Sequence, residues 1–263
     1  MPFTGFDNVK YPEYEVITPQ TGLSFTLRTM TVQEEERMKG SLVTPIKVTE
    51  HLNKCIYETI IQKPDCIKNF DDFLKLITIK DREVLLYGLY HVTYEEVRNY
   101  DIKCSSCTKE YPVTVQISDT FNYNKYPGKD ILSKKVKVPL PITKGVNAYI
   151  KQPSLYNEIS AYKSLGSRPG STLERISQIL IIDRFEQESE AGQTKTYKDQ
   201  VDILDAFMSL PAKDKRKLHS EYVENFGKYS MELKMQTTCT NCGHTEVVDI
   251  DLVEQFFRLV YTS

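Results

Sequence analysis

Two Cys-x-x-Cys motifs, Cys104–Cys107 and Cys239–Cys242, constrain the fold of this chain more than any other feature of its 263 residues. Each motif lies between two runs in which apolar and polar residues alternate, which is the pattern of a β-strand. Strand, cysteine turn and strand, occurring twice, is the arrangement of a zinc ribbon. In a zinc ribbon, two such turns provide four thiolates for one tetrahedral ion.

We therefore predict a structural Zn²⁺ site formed by Cys104, Cys107, Cys239 and Cys242. The 131 residues between the two motifs are a long separation for the two parts of one site. Two independent redox Cys-x-x-Cys sites, or cysteines with no joint role, are the alternatives.

The order of features along the chain indicates an internal duplication, which explains that separation. Residues 16–28 have the pattern of two strands joined by a turn at Gly22, and the same pattern recurs around Gly145. The separation of matching features grows slowly, from 123 residues between these glycines to 135 residues between the first cysteines of the two motifs. Slow growth is expected if small loop insertions have accumulated between matching elements. The alternative is that any two α+β segments share such generic features.

Helices are predicted between the hairpin and the cysteine motif of each half. Thr31 to Glu34 has the sequence of a capping box that begins a short helix. Thr44-Pro45 begins a second helix, and Asp71 is predicted to cap a third. The apolar residues of the second helix fall on one face; they are Val48, Leu52, Cys55, Ile56 and Ile60.

The predicted fold class is α+β, with two pseudo-repeated halves that each contain a β-hairpin, helices and a Cys-x-x-Cys β-hairpin. The first half covers residues 1–122, and residues 138–263 form the second half, which ends in a C-terminal helix. Residues 123–137 form a linker that contains Pro, Gly and several lysines. These lysines could contact phosphate or an acidic partner, or simply be solvated. The halves are expected to join at the shared four-cysteine zinc ribbon.

Composition and charge argue against several classes of protein. The net charge of −2 gives no overall field that would attract nucleic acid. Neither a signal peptide nor a membrane span is expected, because the first residues lack a basic and an apolar region and no apolar run is long enough. Thiols that stay free for a metal indicate a reducing compartment.

Catalysis is not expected. The four histidines form no metalloprotease motif and lie near no candidate nucleophile in sequence. A four-cysteine site also leaves no open coordination position for a substrate, so neither an active site nor a small-molecule substrate is predicted.

The C-terminal segment carries an apolar stripe at helical spacing, formed by Leu252, Phe256, Leu259 and Val260. Such a helix either packs on its own domain or offers a face to another subunit, so these four residues are candidate partner-binding residues.

The segment from Tyr14 to Glu36 resembles the start of the baseplate hub and hub-assembly proteins of T-even-type contractile-tail phages. The resemblance continues through Asn53–Ile56 and Phe73-Leu74 to the first cysteine motif. It implies a non-enzymatic virion or assembly protein of the tail baseplate, made in the host cytoplasm, whose partners are other tail and baseplate proteins.

Two other classes of protein compete with this interpretation. One is a zinc-ribbon accessory protein that binds nucleic acid; Lys103, Lys109 and Lys234 lie near the motifs, but acidic residues there argue against a phosphate-binding groove. These acidic residues are Glu110, Glu232, Glu246, Asp249 and Asp251. The other class is a redox protein that uses the Cys-x-x-Cys thiols.

Overall fold

A computed structural model describes residues 10–39, 44–94, 97–168, 171–188 and 193–250. The described residues form helices and several small antiparallel sheets, so the predicted α+β class is confirmed.

The sequence up to residue 123 begins with a β-hairpin, continues through four helices and ends in a second hairpin and a short strand. Its elements are β1 (Glu13–Ile17), β2 (Ser24–Arg28), α1 (Val32–Lys39), α2 (Pro45–Thr59), β3 (Ile60–Gln62), α3 (Phe70–Leu76), α4 (Ile79–Tyr94), β4 (Arg98–Lys103), β5 (Glu110–Val115), a 3₁₀ turn (Ile117–Thr120) and β6 (Phe121–Tyr123). The first three strands form one sheet in the order β1-β2-β3, and β4 pairs with β5.

The sequence from residue 135 follows a similar order. Its elements are β7 (Lys135–Pro139), β8 (Val146–Lys151), α5 (Leu155–Leu165), α6 (Leu173–Leu180), β9 (Ile182–Glu188), β10 (Thr194–Tyr197), α7 (Gln200–Ser209), α8 (Ala212–Tyr222), a π-helical turn (Val223–Gly227), β11 (Met231–Thr238) and β12 (Thr245–Asp249). Strands β7 to β10 form a sheet in the order β10-β9-β8-β7.

Local chemistry explains the first hairpin of each part. The turns at Gly22 and Gly145 have φ of 69° and 77°, a left-handed conformation that glycine adopts without a Cβ clash. An aspartate from a later helix fixes each turn. Asp81 accepts hydrogen bonds from the Gln20 N–H and the Thr21 hydroxyl, both at 2.8 Å.

The second hairpin turn has the same kind of support. Asp214, near the start of α8, accepts hydrogen bonds from the Ile142 N–H at 2.9 Å and the Thr143 N–H at 3.0 Å. Burial would raise the pKa of Asp214, but the hydrogen bonds from Thr143 and Ile142 hold it below its usual value.

Two apolar cores stabilise the molecule. In the first, α4 packs against the β1-β2-β3 sheet and buries Phe25, Leu27 and Leu85 almost completely. The second lies between the β10-β9-β8-β7 sheet and the helices from α5 onward, around Ile150 and Phe185. Each sheet therefore buries one face, as the alternation of apolar residues predicts.

The two parts are also joined directly. The Leu155 N–H donates to the Ile77 carbonyl at 2.9 Å, and Leu155 itself is buried in the first core. Strand β6 pairs with β11 so that Phe121 lies opposite Leu233. Gln20 Nε2 donates to the Phe226 carbonyl at 3.0 Å. The cysteine hairpins therefore extend from a shared, packed base.

Candidate metal centre

Each Cys-x-x-Cys motif forms the turn of an antiparallel hairpin. In the first hairpin the ladder ends with Lys103 opposite Glu110, and in the second it ends with Thr238 opposite Thr245. The turn then tightens around the first cysteine. The Cys104 N–H donates to the Lys109 carbonyl at 3.0 Å.

The second turn repeats this bonding. The Cys239 N–H donates to the His244 carbonyl at 2.8 Å, and the Gly243 N–H donates to the Cys239 carbonyl at 2.9 Å. In the first turn, the N–H of Thr108 makes the matching bond to the Cys104 carbonyl at 3.0 Å. The two turns are therefore alike in backbone structure.

One residue in each turn has a left-handed backbone. Gly243 has φ of 72° and Thr108 has φ of 61°. Glycine adopts this conformation freely, whereas a β-branched residue with positive φ is strained. The first turn therefore holds a strained threonine where the second holds an unstrained glycine.

The two turns bring four thiol groups together, as the sequence predicts. The sulfurs of Cys104, Cys107, Cys239 and Cys242 all lie within 4.8 Å of one another. Cys104 Sγ is 3.7 Å from Cys242 Sγ, and Cys107 Sγ is 3.7 Å from Cys239 Sγ. A tetrahedral ion with Zn–S bonds of about 2.3 Å sets its ligands about 3.8 Å apart, so the arrangement fits zinc.

Neighbouring side chains orient the two turns relative to each other. The carboxylate of Glu246, on β12, accepts hydrogen bonds from the Ser105 N–H at 3.3 and 3.4 Å and from the Tyr111 hydroxyl at 3.4 Å. Asn241 Nδ2 donates to the Glu110 carbonyl at 3.3 Å. Tyr111 is buried and packs with Cys104 and Cys239. These contacts cross from one hairpin to the other and hold the sulfurs in position.

The thiols influence one another's ionisation. Burial alone would raise the pKa of Cys239, but hydrogen bonds from the Asn241 and Cys242 N–H groups and from nearby thiols lower it to about 7. The His244 N–H acts to lower the pKa of Cys242, but burial and the other three thiols raise it to about 12. These surroundings therefore favour the thiolate of Cys239 and disfavour that of Cys242, whereas a bound divalent cation would stabilise both as thiolates.

Two groups of site residues were predicted, and the structure describes one of them. The four cysteines lie together, whereas Leu252, Phe256, Leu259 and Val260 lie outside the described residues. Sequence reasoning did not identify Glu246, Tyr111 or Asn241 as supports of the site. Neighbouring side chains of a strand point to opposite faces, so Glu246 lies on the face of β12 opposite to the exposed Val247. This alternation is a sequence signal that could have placed Glu246 towards the other hairpin.

Comparison with known families adds an independent observation. The sequence model of the family described as "T4 bacteriophage base plate protein" matches residues 11–258, which include both cysteine hairpins. The chain belongs to this family. The baseplate protein is thus a structural protein of a phage tail baseplate, and the predicted resemblance to T4-type baseplate proteins is confirmed. No curated protein and no solved structure matches the chain.

Family membership places the baseplate protein in the tail of the virion. Within the described ranges, no helix combines the length and the apolar character needed to cross a membrane.

Proposed function

We propose that the baseplate protein is a non-enzymatic assembly subunit of the hub region, in which one structural Zn²⁺ ion fastens two halves of the chain together. The ligands are Cys104, Cys107, Cys239 and Cys242. One observation carries this proposal: sulfurs from two hairpins that are 131 residues apart in sequence lie within 4.8 Å of one another.

Zinc is the ion that suits this set of ligands. Four thiolates in tetrahedral spacing are typical of structural zinc, and they leave no coordination position free for a substrate. Binding of such an ion contributes on the order of 10 kcal/mol to folding. That is comparable with the whole free energy of unfolding of a typical domain, so the ion would supply a large part of the stability of the chain.

We also propose that the halves are pseudo-repeats, residues 1–122 and 138–263, joined by a linker at 123–137. Corresponding elements support this proposal: each half has a hairpin, helices, a further strand that pairs with the hairpin, and a cysteine hairpin, although the second hairpin's first strand, β7, begins within the linker. The turn-fixing aspartates Asp81 and Asp214 occupy corresponding positions near the starts of α4 and α8. The shared ion would lie at the junction where the two pseudo-repeats meet.

The partners in this proposal are other tail and baseplate proteins, met first in the host cytoplasm and then in the virion. Placement at the hub follows from the resemblance of residues 14–36. A protein partner suits the ribbon better than nucleic acid does, because the carboxylate of Glu246 lies beside the first cysteine turn and repels phosphate.

Metal analysis of single-cysteine variants tests the proposal. The purified baseplate protein should contain one zinc per chain, and Cys104→Ser or Cys239→Ser should lose the metal and aggregate. Cys66→Ser is the matched control, because Cys66 is an exposed free cysteine outside the cluster. A soluble, cooperatively folded Cys239→Ser variant, or a wild-type chain without stoichiometric metal, would contradict the proposal.

A further inference from the structure

Four cations lie in or beside the connection between the two halves, and we call them the linker lysines: Lys125, Lys129, Lys134 and Lys228. Three of them lie in the connecting segment, and Lys228 lies just after the π-helical turn. Among the residues that the structure describes, no carboxylate forms an ion pair with any of the four. By contrast, the nearby Lys135 binds Asp183 at 2.8 Å.

The backbone beneath the linker lysines is anchored on both sides. The Tyr126 N–H donates to the Pro19 carbonyl at 2.7 Å, and the Asn124 N–H donates to the Ser230 carbonyl at 3.2 Å. The segment is therefore tied both to the first hairpin and to the sequence that follows the π-helical turn.

Aromatic rings fix two of the ammonium groups. Lys134 Nζ lies 5.1 Å from the Phe226 ring centroid and 5.9 Å from that of Tyr126. Lys228 Nζ lies 5.4 Å from the ring centroid of Tyr229, and the rings of Tyr126 and Tyr229 meet edge to face at 5.1 Å. Cations held over rings lose less freedom on binding than free lysines do.

Nearby acidic groups do not cancel this charge. The Asp130 carboxylate accepts hydrogen bonds from the Leu132 and Ser133 N–H groups, both at 3.1 Å, so it is engaged in its own turn. Glu224 is exposed in the π-helical turn. Glu221 lies against the Asn225 amide and is paired with Lys217 at 2.6 Å. Counted with Lys217, five ammonium groups stand against the carboxylates of Asp130, Glu221 and Glu224, on a chain whose net charge is −2.

We infer that the linker lysines bind an acidic polypeptide segment of a partner protein. The positive charge of the linker lysines favours a negatively charged partner, and the anchored backbone makes the site preorganised. Nucleic acid fits less well, because Tyr126 and Tyr229 pack on each other and each lies near an ammonium group, so these two rings are already engaged. The inference deepens the proposed assembly role by naming a class of partner, and its biological meaning rests on that role.

Binding of a fluorescein-labelled deca-glutamate peptide to the full chain, followed by fluorescence anisotropy, tests the inference. A thymidine decanucleotide is the competing probe. The test variant is K125E/K129E/K228E, which spares Lys134 because its ammonium also donates to the Asn225 carbonyl. The control is K144E/K213E/R216E, an equal charge change at three exposed cations near the start of α8. A K125Q/K129Q/K228Q variant provides a second, milder neutralisation, and thermal melting checks that every variant folds.

We expect the peptide to bind at about 50 mM salt and to bind at least about tenfold more weakly at about 300 mM salt. The test variant should lose at least about tenfold in affinity and the control less than about twofold. Absence of peptide binding, equal losses in the two variants, or tighter binding of the oligonucleotide would overturn the inference. Because this assay does not depend on metal content, such a failure would leave the zinc proposal standing.

Discussion

The guanidinium of Arg82, on α4, donates hydrogen bonds to both carboxylate oxygens of Glu158, on α5, at 2.5 and 3.1 Å. The side chains are 14% and 8% exposed, so this ion pair is largely removed from water. Asn53 Oδ1 accepts a further bond from the same guanidinium at 3.3 Å. The pair joins the two parts of the chain through α4 and α5 and involves no residue of the cysteine hairpins.

Removing one partner of this pair should be costly. Glu158→Ala leaves the Arg82 guanidinium buried without its counter-charge, which typically costs about 3–5 kcal/mol. The control is Asp71→Ala, which removes an exposed partner of Lys75 and should cost less than about 1 kcal/mol. Urea unfolding of the two variants checks the prediction, and equal losses of stability would contradict it.

The left-handed residues of the cysteine turns give a second prediction. Gly243→Ala places a Cβ at φ of 72° and should destabilise the zinc-bound protein by about 1–2 kcal/mol. Thr108→Gly should be tolerated, because relief of strain at φ of 61° offsets the greater freedom of glycine in the unfolded chain. Thermal melting of both variants tests this difference, and an equal change of melting temperature in the two variants would contradict the prediction.

Support of the first cysteine turn by Glu246 leads to a third prediction. Glu246→Gln weakens the hydrogen bonds to the Ser105 N–H, so the first pair of sulfurs is held less firmly. Loss of a group that orients metal ligands typically lowers metal affinity about 10- to 100-fold. Competition with a chromogenic chelator measures the metal affinity of the variant and of wild type. Glu110→Gln is the control, because only the backbone carbonyl of Glu110 takes part in the cross-hairpin contact; an unchanged affinity in Glu246→Gln would refute the supporting role.

Stability towards acid should depend on Glu34. Burial would raise the pKa of this carboxyl, but hydrogen bonds from Arg28 and Thr31 lower it from 4.5 to about 2. A carboxyl whose pKa is lowered by folding stabilises the folded state above its unfolded pKa, and this contribution is lost as the pH falls from about 4.5 towards 2.

The test is urea unfolding of wild type and Glu34→Gln between neutral pH and pH about 3. The variant should be less stable at neutral pH by about 1–3 kcal/mol, and the difference should shrink as acid protonates Glu34. Loss of metal in acid affects both proteins alike, so it cancels in the comparison. A difference that does not change with pH would count against this role of Glu34.

Features that depend on neighbouring residues could be predicted from the sequence. The capping box at the start of α1 is present, since the Thr31 N–H donates to the Glu34 carboxylate and the Glu34 N–H donates to the Thr31 hydroxyl. Thr44 caps α2, and the hairpin turns at Gly22 and Gly145 form where predicted. The cysteine cluster was also predictable, because a Cys-x-x-Cys turn between alternating runs has a characteristic spacing.

Boundaries and long-range contacts were harder to predict. Asn69, and not Asp71, caps α3, because its side chain accepts the Asp72 N–H and the helix begins at Phe70. Ile60, predicted on the apolar face of α2, is the first residue of β3 and pairs with Leu27. A strand partner distant in sequence leaves no local pattern, and the same is true of Arg82 with Glu158.

X-ray absorption at the zinc edge of the purified, monomeric baseplate protein shows whether one ion joins the two cysteine hairpins. One ion per chain with four sulfur neighbours at about 2.3 Å is the predicted result, since only the two hairpins together can supply four thiolates. A shell of two sulfurs completed by nitrogen or oxygen would show that each hairpin binds its own ion and that the two halves share no metal.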